Sequence, residues 1–469
     1  MFRGWLLTIR AVVVVLLAGT VAAVNGCEGW NEQTSSPSTG TLRVVALKEP
    51  LSRVRPGEGL EHDLLWHFAE SRQERLQWKW VSNPEEALEY LQKGKADIAA
   101  GRWSAEPFER NTSVLTGPAY EEALAVLVCQ KDLRSESENS FLQNWFSRND
   151  PKALAWIERQ PLRIAVHRRD LMSGFDLELL KINPEWKVRP AVQSPLVLAK
   201  QIAQKKLDCF VTDATTGQWI QNLRPSVRVA REVNLRLSKA FLFSPDNRDL
   251  EMSFTSWFQR HNRQGHLTRV RQRYLGFQNS LTDLDRQRLH RARAVELPHL
   301  IGKFQKFAKE FQIPWELLAA VAYQESHWNN DAQSHTGVRG IMQLTQETAR
   351  HLGVEDREDL EQSLWGGAKY LRALIDQQPK NLHPRERLAL ALAAYNVGWG
   401  HLRDAQKLAA NAGRSPFSFW ELRTILPLLS DPAIAADLEF GEARGDEPVQ
   451  FTERVLAFYD ILSDRSDVP

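Results

Sequence analysis

The spacing of apolar residues changes character once along this chain, and that change limits what it can fold into. Over the first half, short apolar runs alternate with amphipathic ones. TLRVVAL (41–47) reads as a strand, and HDLLWHFAESR as a helix with Leu64, Leu65, Phe68 and Ala69 on one side. RLQWKWV alternates like a strand, EEALEYLQKGK is an amphipathic helix and ADIAAG a buried strand. The pattern then recurs in PLRIAVH (161–167), SPLVLAKQIAQKKL and DCFVTD (208–213), with VRVAREV as a further strand. Alternation of this kind requires a sheet with crossover helices. Two successive sets predict two lobes, with a ligand cleft beyond the carboxyl ends of the strands. After RYLGF (273–277) the strand signals stop, and FQKFAKEF, PWELLAAVAYQ, SLWGGAKYLRALI and RLALALAAYNV are all helical. The expected layout is a two-lobed α/β domain over 41–278, a helical connector over 279–300 and an all-α domain over 301–469.

The flanking composition fits an exported protein. Arg3 and Arg10 precede a fourteen-residue apolar run (11–24), which at about 1.5 Å per residue is too short for a bilayer core of about 30 Å. A secretory signal over 1–27 is the expectation. Val24-Asn25-Gly26-Cys27 resembles a lipoprotein box, which leaves lipidation of Cys27, cleavage nearby or retention as an anchor all open. EGWNEQTSSPSTG (28–40) reads as a flexible tether. A formal net charge of +2 implies no polyanionic partner, so nucleic acid is not expected. Neither metal nor cofactor is expected, since His327 and His335 lack any accompanying ligand pattern. Cys129 and Cys209 lie in apolar strand-like runs and read as buried free thiols, although export permits a disulfide. Arg286, Arg288, Arg291 and Arg293 read as a solvated helix face, with contact to anionic lipid or wall polymer as the sharper alternative.

One carboxylate stands out in the helical half. In AYQESHW (322–328), Glu325 falls within roughly 40° of Leu318 and Val321 on a helix opened by Pro314, so it projects from the apolar stripe of its own helix. Burial and the negative end of the helix dipole both disfavour the ionised form, and its pKa is expected to be raised. A protonated carboxyl near neutral pH is what a general acid needs. The plainer reading is a glutamate at a helix end pointing to water. Two further segments bear on the choice. TGVRGIMQL (336–344) places Met342 and Gln343 after a glycine-bracketed turn, and ALAAYNVGWG (391–400) ends a helix on Tyr395-Asn396 before Gly398. An acid, an amide and a Tyr-Asn pair on separate helices can converge on one groove.

Glu325-Ser326, Gly340-Ile341-Met342-Gln343-Leu344 and Ala394-Tyr395-Asn396, in that order, resemble the goose-lysozyme-like catalytic domain of bacterial lytic transglycosylases over about residues 301–469. GLEHDLLWHFA, ALEYLQKGKADIAAG and VTD resemble a periplasmic solute-binding domain of the amino-acid-binding type. The resemblance implies an α/β two-lobed periplasmic-binding-protein-like domain followed by an all-α lysozyme-like domain. It also implies a location at the periplasmic face of a Gram-negative outer membrane, peripheral or lipid-anchored. The substrate would be peptidoglycan, with an amino acid or muropeptide as a regulatory ligand. By the same resemblance Glu325 is the single catalytic acid, and Ser326, Met342, Gln343, Tyr395 and Asn396 line the substrate groove. Tyr395 would hold the Glu325 carboxyl through its hydroxyl, and Asn396 would brace the loop. Arg110 and Asp213 take the places of a carboxylate-gripping arginine and an amine-holding aspartate, with ordinary salt bridges between the lobes as the plainer account. Phe451 stands where the family often has a tyrosine, and Tyr459 is a weaker replacement for it. Two other readings stay open, a catalytically weakened wall-binding scaffold and a lysozyme-like hydrolase. Lobe closure acting through residues 279–300 is the expected route of regulation.

Overall fold

A computed structural model describes residues 31–33, 40–49, 51–52, 54–55, 57–108, 113–131, 157–171, 175–334 and 337–464. The signal segment, Cys27, Arg110 and His335 lie outside the described residues. The strands in chain order are β1 (Asn31–Gln33), β2 (Gly40–Leu47), β3 (Glu74–Val81), β4 (Ile98–Ser104) and β5 (Leu115–Thr116). They continue with β6 (Glu121–Gln130), β7 (Arg163–His167), β8 (Lys187–Ala191), β9 (Cys209–Asp213) and β10 (Val227–Phe243).

In the first lobe, β2 pairs in parallel with both β3 and β4. The crossovers are α1 (Leu60–Ser71) and α2 (Pro84–Gln92), the latter opened by Pro84 and by Asn83, whose side chain accepts from the Glu85 N–H. Alternation along β3 buries Leu76, Trp78 and Trp80, as RLQWKWV predicts. In the second lobe, β7 pairs in parallel with β8 and β9, and α3 (Ala214–Leu223) follows β9. Two long strands, β6 and β10, cross between the lobes. The seventeen-residue β10 pairs antiparallel with β4 and with β6, which makes one continuous sheet in the order β1-β3-β2-β4-β10-β6-β9-β7-β8. Residues 31–33, expected in the tether, instead add an antiparallel edge strand to β3.

The two cysteines correct the sequence expectation. Cys129 and Cys209 are register partners on β6 and β9, with Cα atoms 4.1 Å apart, and they form a disulfide. Apolar burial held for both, but sequence spacing gave no sign that the strands carrying them are neighbours.

Beyond residue 278 the described chain is helical. The elements that matter here are α4 (Asp283–Val295), α5 (Leu297–Glu310), α6 (Trp315–Ser326), α7 (Leu360–Asp376), α8 (Pro384–Val397) and α9 (Asp446–Ser463). Their shared core contains Leu318, Val321, Leu371, Leu390 and Val455. The same apolar cluster runs on into the second lobe through Val126, Ile220 and Leu223. The first lobe meets the helices through a buried ionic joint. Arg385 donates to Asp460 (2.9 Å) and to the Arg273 carbonyl (3.0 Å), Arg55 pairs with Asp460, and Asp63 pairs with Arg273 and lies 3.1 Å from His383 Nε2. The arginines expected to form a solvated face do not act together. Arg288 and Arg291 are exposed, but Arg286 is buried and donates to the Leu281 carbonyl, while Arg293 donates to the Ile461 and Asp464 carbonyls. No described helix is long and apolar enough to cross a membrane.

Candidate active site

Glu325 is the penultimate residue of α6, and the helix stops abruptly just beyond it. His327 and Trp328 both take left-handed backbone angles (φ 53° and 63°), and Trp328 Nε1 donates to the Ala319 carbonyl at 2.8 Å, fastening the reversal. Val321, one turn before Glu325, is fully buried, so the apolar stripe read from the sequence is real. The Glu325 side chain is half-buried and makes no hydrogen bond or ion pair among the described residues. Burial alone pushes its carboxyl up to about 8.

Around it the three sequence segments come together. Ser326 is buried, and its hydroxyl bonds the Ala322 carbonyl (3.1 Å) and the Ile341 carbonyl (2.9 Å), tying the end of α6 to the 340–344 loop. It does not bond the acid. Gly340 opens that loop at φ 85°, where a Cβ would stand 2.1 Å from the Arg357 carbonyl oxygen, so only glycine fits. Gln343 is itself left-handed (φ 48°), and its amide donates to the Ala332 (3.0 Å) and Gly340 (2.8 Å) carbonyls. Its Oε1 is not part of either bond. Met342 is fully buried and packs so closely on α7 that a Cβ at Gly367 would meet its Cε at 2.5 Å.

Tyr395, at the end of α8, departs from expectation. Its hydroxyl donates to the Met342 carbonyl at 3.1 Å and not to Glu325. Burial first, and then the nearby Glu325 charge, hold that hydroxyl well above the usual tyrosine range. Tyr395 is therefore close to the acid, and it braces the loop that Asn396 was expected to brace. Asn396 is exposed and makes no side-chain hydrogen bond among the described residues. Phe451 lies parallel to Tyr395 (centroids 6.0 Å, planes 5° apart), so the aromatic position is kept while its hydroxyl is not. Tyr459 offers no substitute, because its ring is covered by the Arg55 guanidinium (3.7 Å) at the joint with the first lobe.

Sequence reasoning missed the parts that hold the loop. Arg357 donates to the Gly337 (3.0 Å) and Leu344 (2.9 Å) carbonyls, strapping its two ends, and Ser363 Oγ accepts from the Met342 N–H at 3.4 Å. Tyr370 packs on Tyr395 with centroids 5.3 Å apart. Only the glycine pair at 366–367, a cost inside a helix, could have flagged a close approach. The second expected site is also changed. Asp213 is buried at the end of β9, where it caps α3 by accepting from the Thr216 N–H (2.8 Å) and is gripped by Arg102 Nη2 (2.8 Å).

Comparison with known proteins gives the family. Residues 302–418 match the family model of the transglycosylase SLT domain. A membrane-bound lytic murein transglycosylase F 2 from Alkalilimnicola ehrlichii is 32% identical over 98% of this chain and 99% of its own length. The chain belongs to the membrane-bound lytic murein transglycosylase F family. Another member, from Cronobacter sakazakii, is 33% identical over 91% of this chain and 80% of its own length. Among solved structures, an ancestral arginine-binding protein bound to arginine covers 51% of this chain and 100% of its own, at 16% identity and a TM-score of 0.41. The matched transglycosylase segment contains Glu325, the 340–344 loop and Tyr395, while the ring of Phe451 is supplied from outside it.

Proposed function

We infer that this protein is a lytic transglycosylase that cleaves the N-acetylmuramic acid to N-acetylglucosamine bond of peptidoglycan without water, leaving 1,6-anhydromuramoyl ends. The observation that carries this reading is a carboxyl, unpaired among the described residues and with a pKa pushed up to about 8, at the meeting point of α6, the 340–344 loop and α8. Glycosidases that use water usually pair two carboxylates. Asp331 is exposed beyond the helix in a turn set by Asn329, and is not a partner for Glu325.

In this mechanism Glu325 gives its proton to the glycosidic oxygen as the bond to muramic acid C1 breaks. The resulting carboxylate then takes the proton of the muramoyl 6-hydroxyl, whose oxygen closes onto C1. The acid ends the cycle protonated, and no water is consumed. Proton transfer of this kind contributes about 10²–10⁴ in rate, and positioning of the glycan supplies the rest. Gln343 Oε1 is available to accept from an N-acetyl N–H, and Ser326 and Tyr395 hold the loop that presents it. The family's name and the disulfide, which forms in oxidising compartments, support export and association with a membrane, and the periplasmic face of the outer membrane is the location we propose. The mass of the mature N-terminus decides whether Cys27 carries lipid.

The test is product analysis of digested peptidoglycan with wild type and Glu325→Gln. Anhydro ends from wild type and none from the variant are expected. Reducing ends would make the enzyme a hydrolase, and no release from wild type would make it a scaffold.

A further inference from the structure

The cleft between the lobes, where a solute-binding fold takes its ligand, is crossed by charges that belong to the chain itself. From the first lobe come Glu49, Glu61 and Arg102, and from the second Arg169, Asp170 and Asp213, with Glu121 and Lys239 on the crossing strands β6 and β10. Every one of these side chains is buried. Arg102 spans the gap, with Nη2 and Nε on Asp213 (2.8 and 3.3 Å) and Nη1 3.0 Å from Glu121. Arg169 crosses the other way, pairing with Glu49 at 3.0 Å and donating to the Gly101 carbonyl.

We propose that the cleft contains a site for a guanidinium cation and that this site is filled from within by Arg102, so that the domain stays closed with no free amino acid between its lobes.

Acceptor arithmetic carries the proposal. An ionised carboxylate offers about four lone-pair positions. Asp213 accepts from Arg102 Nε and Nη2, from the Thr216 N–H and from Thr216 Oγ1, two bonds on each oxygen, and Lys239 lies 3.9 Å away. An incoming ammonium finds no acceptor there unless Arg102 leaves. The donors that would suit an incoming carboxylate are equally taken. Glu61 accepts from the Gly101 N–H (2.9 Å), the Arg102 N–H (3.0 Å), the Tyr120 hydroxyl (2.6 Å) and the Ser52 hydroxyl. At Asp213 and on the bulge the bonding of a zwitterion is thus taken internally, by Glu61 in place of its carboxylate and by Arg102 in place of its cation, while Glu49 Oε2 and Glu121 Oε2 accept no hydrogen bond among the described residues.

The backbone is shaped for this. Register between β4 and β10 slips where Ala99 and Trp103 pair with Leu242 and Ala240, so residues 100–102 bulge. Gly101 takes φ 133°, with Leu47 Cβ 2.7 Å from where its own Cβ would stand, and Arg102 takes φ 56°. A left-handed arginine is held only when its surroundings over-determine it. Here the two-pronged grip on Asp213 and the Glu61 clamp on the bulge do so. Expulsion of Arg102 by a ligand would have to break all of these at once.

The experiment uses the full chain. Wild type is titrated calorimetrically with L-arginine and with L-alanine, and no saturable heat is expected. Arg102→Ala is then heated with and without millimolar methylguanidinium chloride, against equal sodium chloride. The variant is expected to melt lower than wild type and to regain a few degrees with methylguanidinium only. That gain should vanish in Arg102→Ala/Asp213→Asn. Saturable binding of either amino acid to wild type, lost in Asp213→Asn, overturns the proposal. So does a folded Arg102→Ala whose melting is indifferent to methylguanidinium. If Arg102→Ala does not fold, the wild-type titration alone decides. None of these outcomes depends on Glu325 being the acid.

Discussion

A carboxyl that titrates near 8 is still mainly protonated at neutral pH, and both activity and stability follow from that. In the proposed role of proton donor Glu325 works below its pKa, so kcat/KM on soluble glycan fragments should fall tenfold per pH unit above about 8. A falling limb near 5 would remove Glu325 from the acid's role. Its folded-state pKa lies above the ordinary carboxylate value, so the folded state binds more protons than the unfolded one between about 4.5 and 8. Stability therefore drains away as pH rises through that window. Glu325→Gln should consequently be more stable than wild type by up to about 4 kcal/mol at pH 8–9 and by less at pH 5. Denaturant melts at the two pH values check the sign, and a variant destabilised at both would show that the carboxyl is not desolvated. At this scale the burial of the Glu325 carboxyl was legible, because a helix stripe fixes direction to within tens of degrees. The hydroxyl partners of Ser326 and Tyr395 were not, because a hydrogen bond depends on loop carbonyls whose positions no periodicity encodes.

At the scale of elements, the 340–344 loop is positioned by helices that merely pass it. Gly367 lets α7 lie against Met342, so Gly367→Val should cost about 1–3 kcal/mol by overpacking and lower turnover by displacing Gln343. The melting curve and the rate on isolated peptidoglycan sacculi report the two effects separately. Arg357→Met removes both straps on the loop while keeping the length of the side chain. Its KM for glycan should rise with little change in melting temperature, since the arginine is only half-buried. Helix content and the parallel strand sets were readable from apolar spacing. The crossing strand β10 was only half read, as VRVAREV, because its continuation NLRLSK mixes charges into a strand that bends between two lobes. Arg286 was misread for a related reason. Its helix is polar nearly all round, and only the packing of α4 against its neighbours shows which arginine is covered.

For the whole molecule, the disulfide and the ionic joint do different work. Cys129 and Cys209 are 80 residues apart in sequence, so the bridge constrains a large part of the unfolded chain. Cys129→Ser/Cys209→Ser should lower stability by about 3–4 kcal/mol in urea melts, and equal midpoints with and without reductant would contradict the bridge. Asp460 accepts from both Arg55 and Arg385, so Asp460→Asn leaves two buried guanidinium groups to share the single charge of Glu58. The sequence divides the chain cleanly into halves by periodicity, yet it could not show that these halves share a core. Val126, Ile220 and Leu223 of the second lobe belong to the same apolar mass as the transglycosylase helices, and α5 runs unbroken through residue 300. A chain nicked between residues 278 and 301 should therefore elute from a sizing column as one particle, its pieces parting only in denaturant. Natural recombination at that seam would likewise leave either fragment with a bare greasy flank, prone to stick to whatever it met.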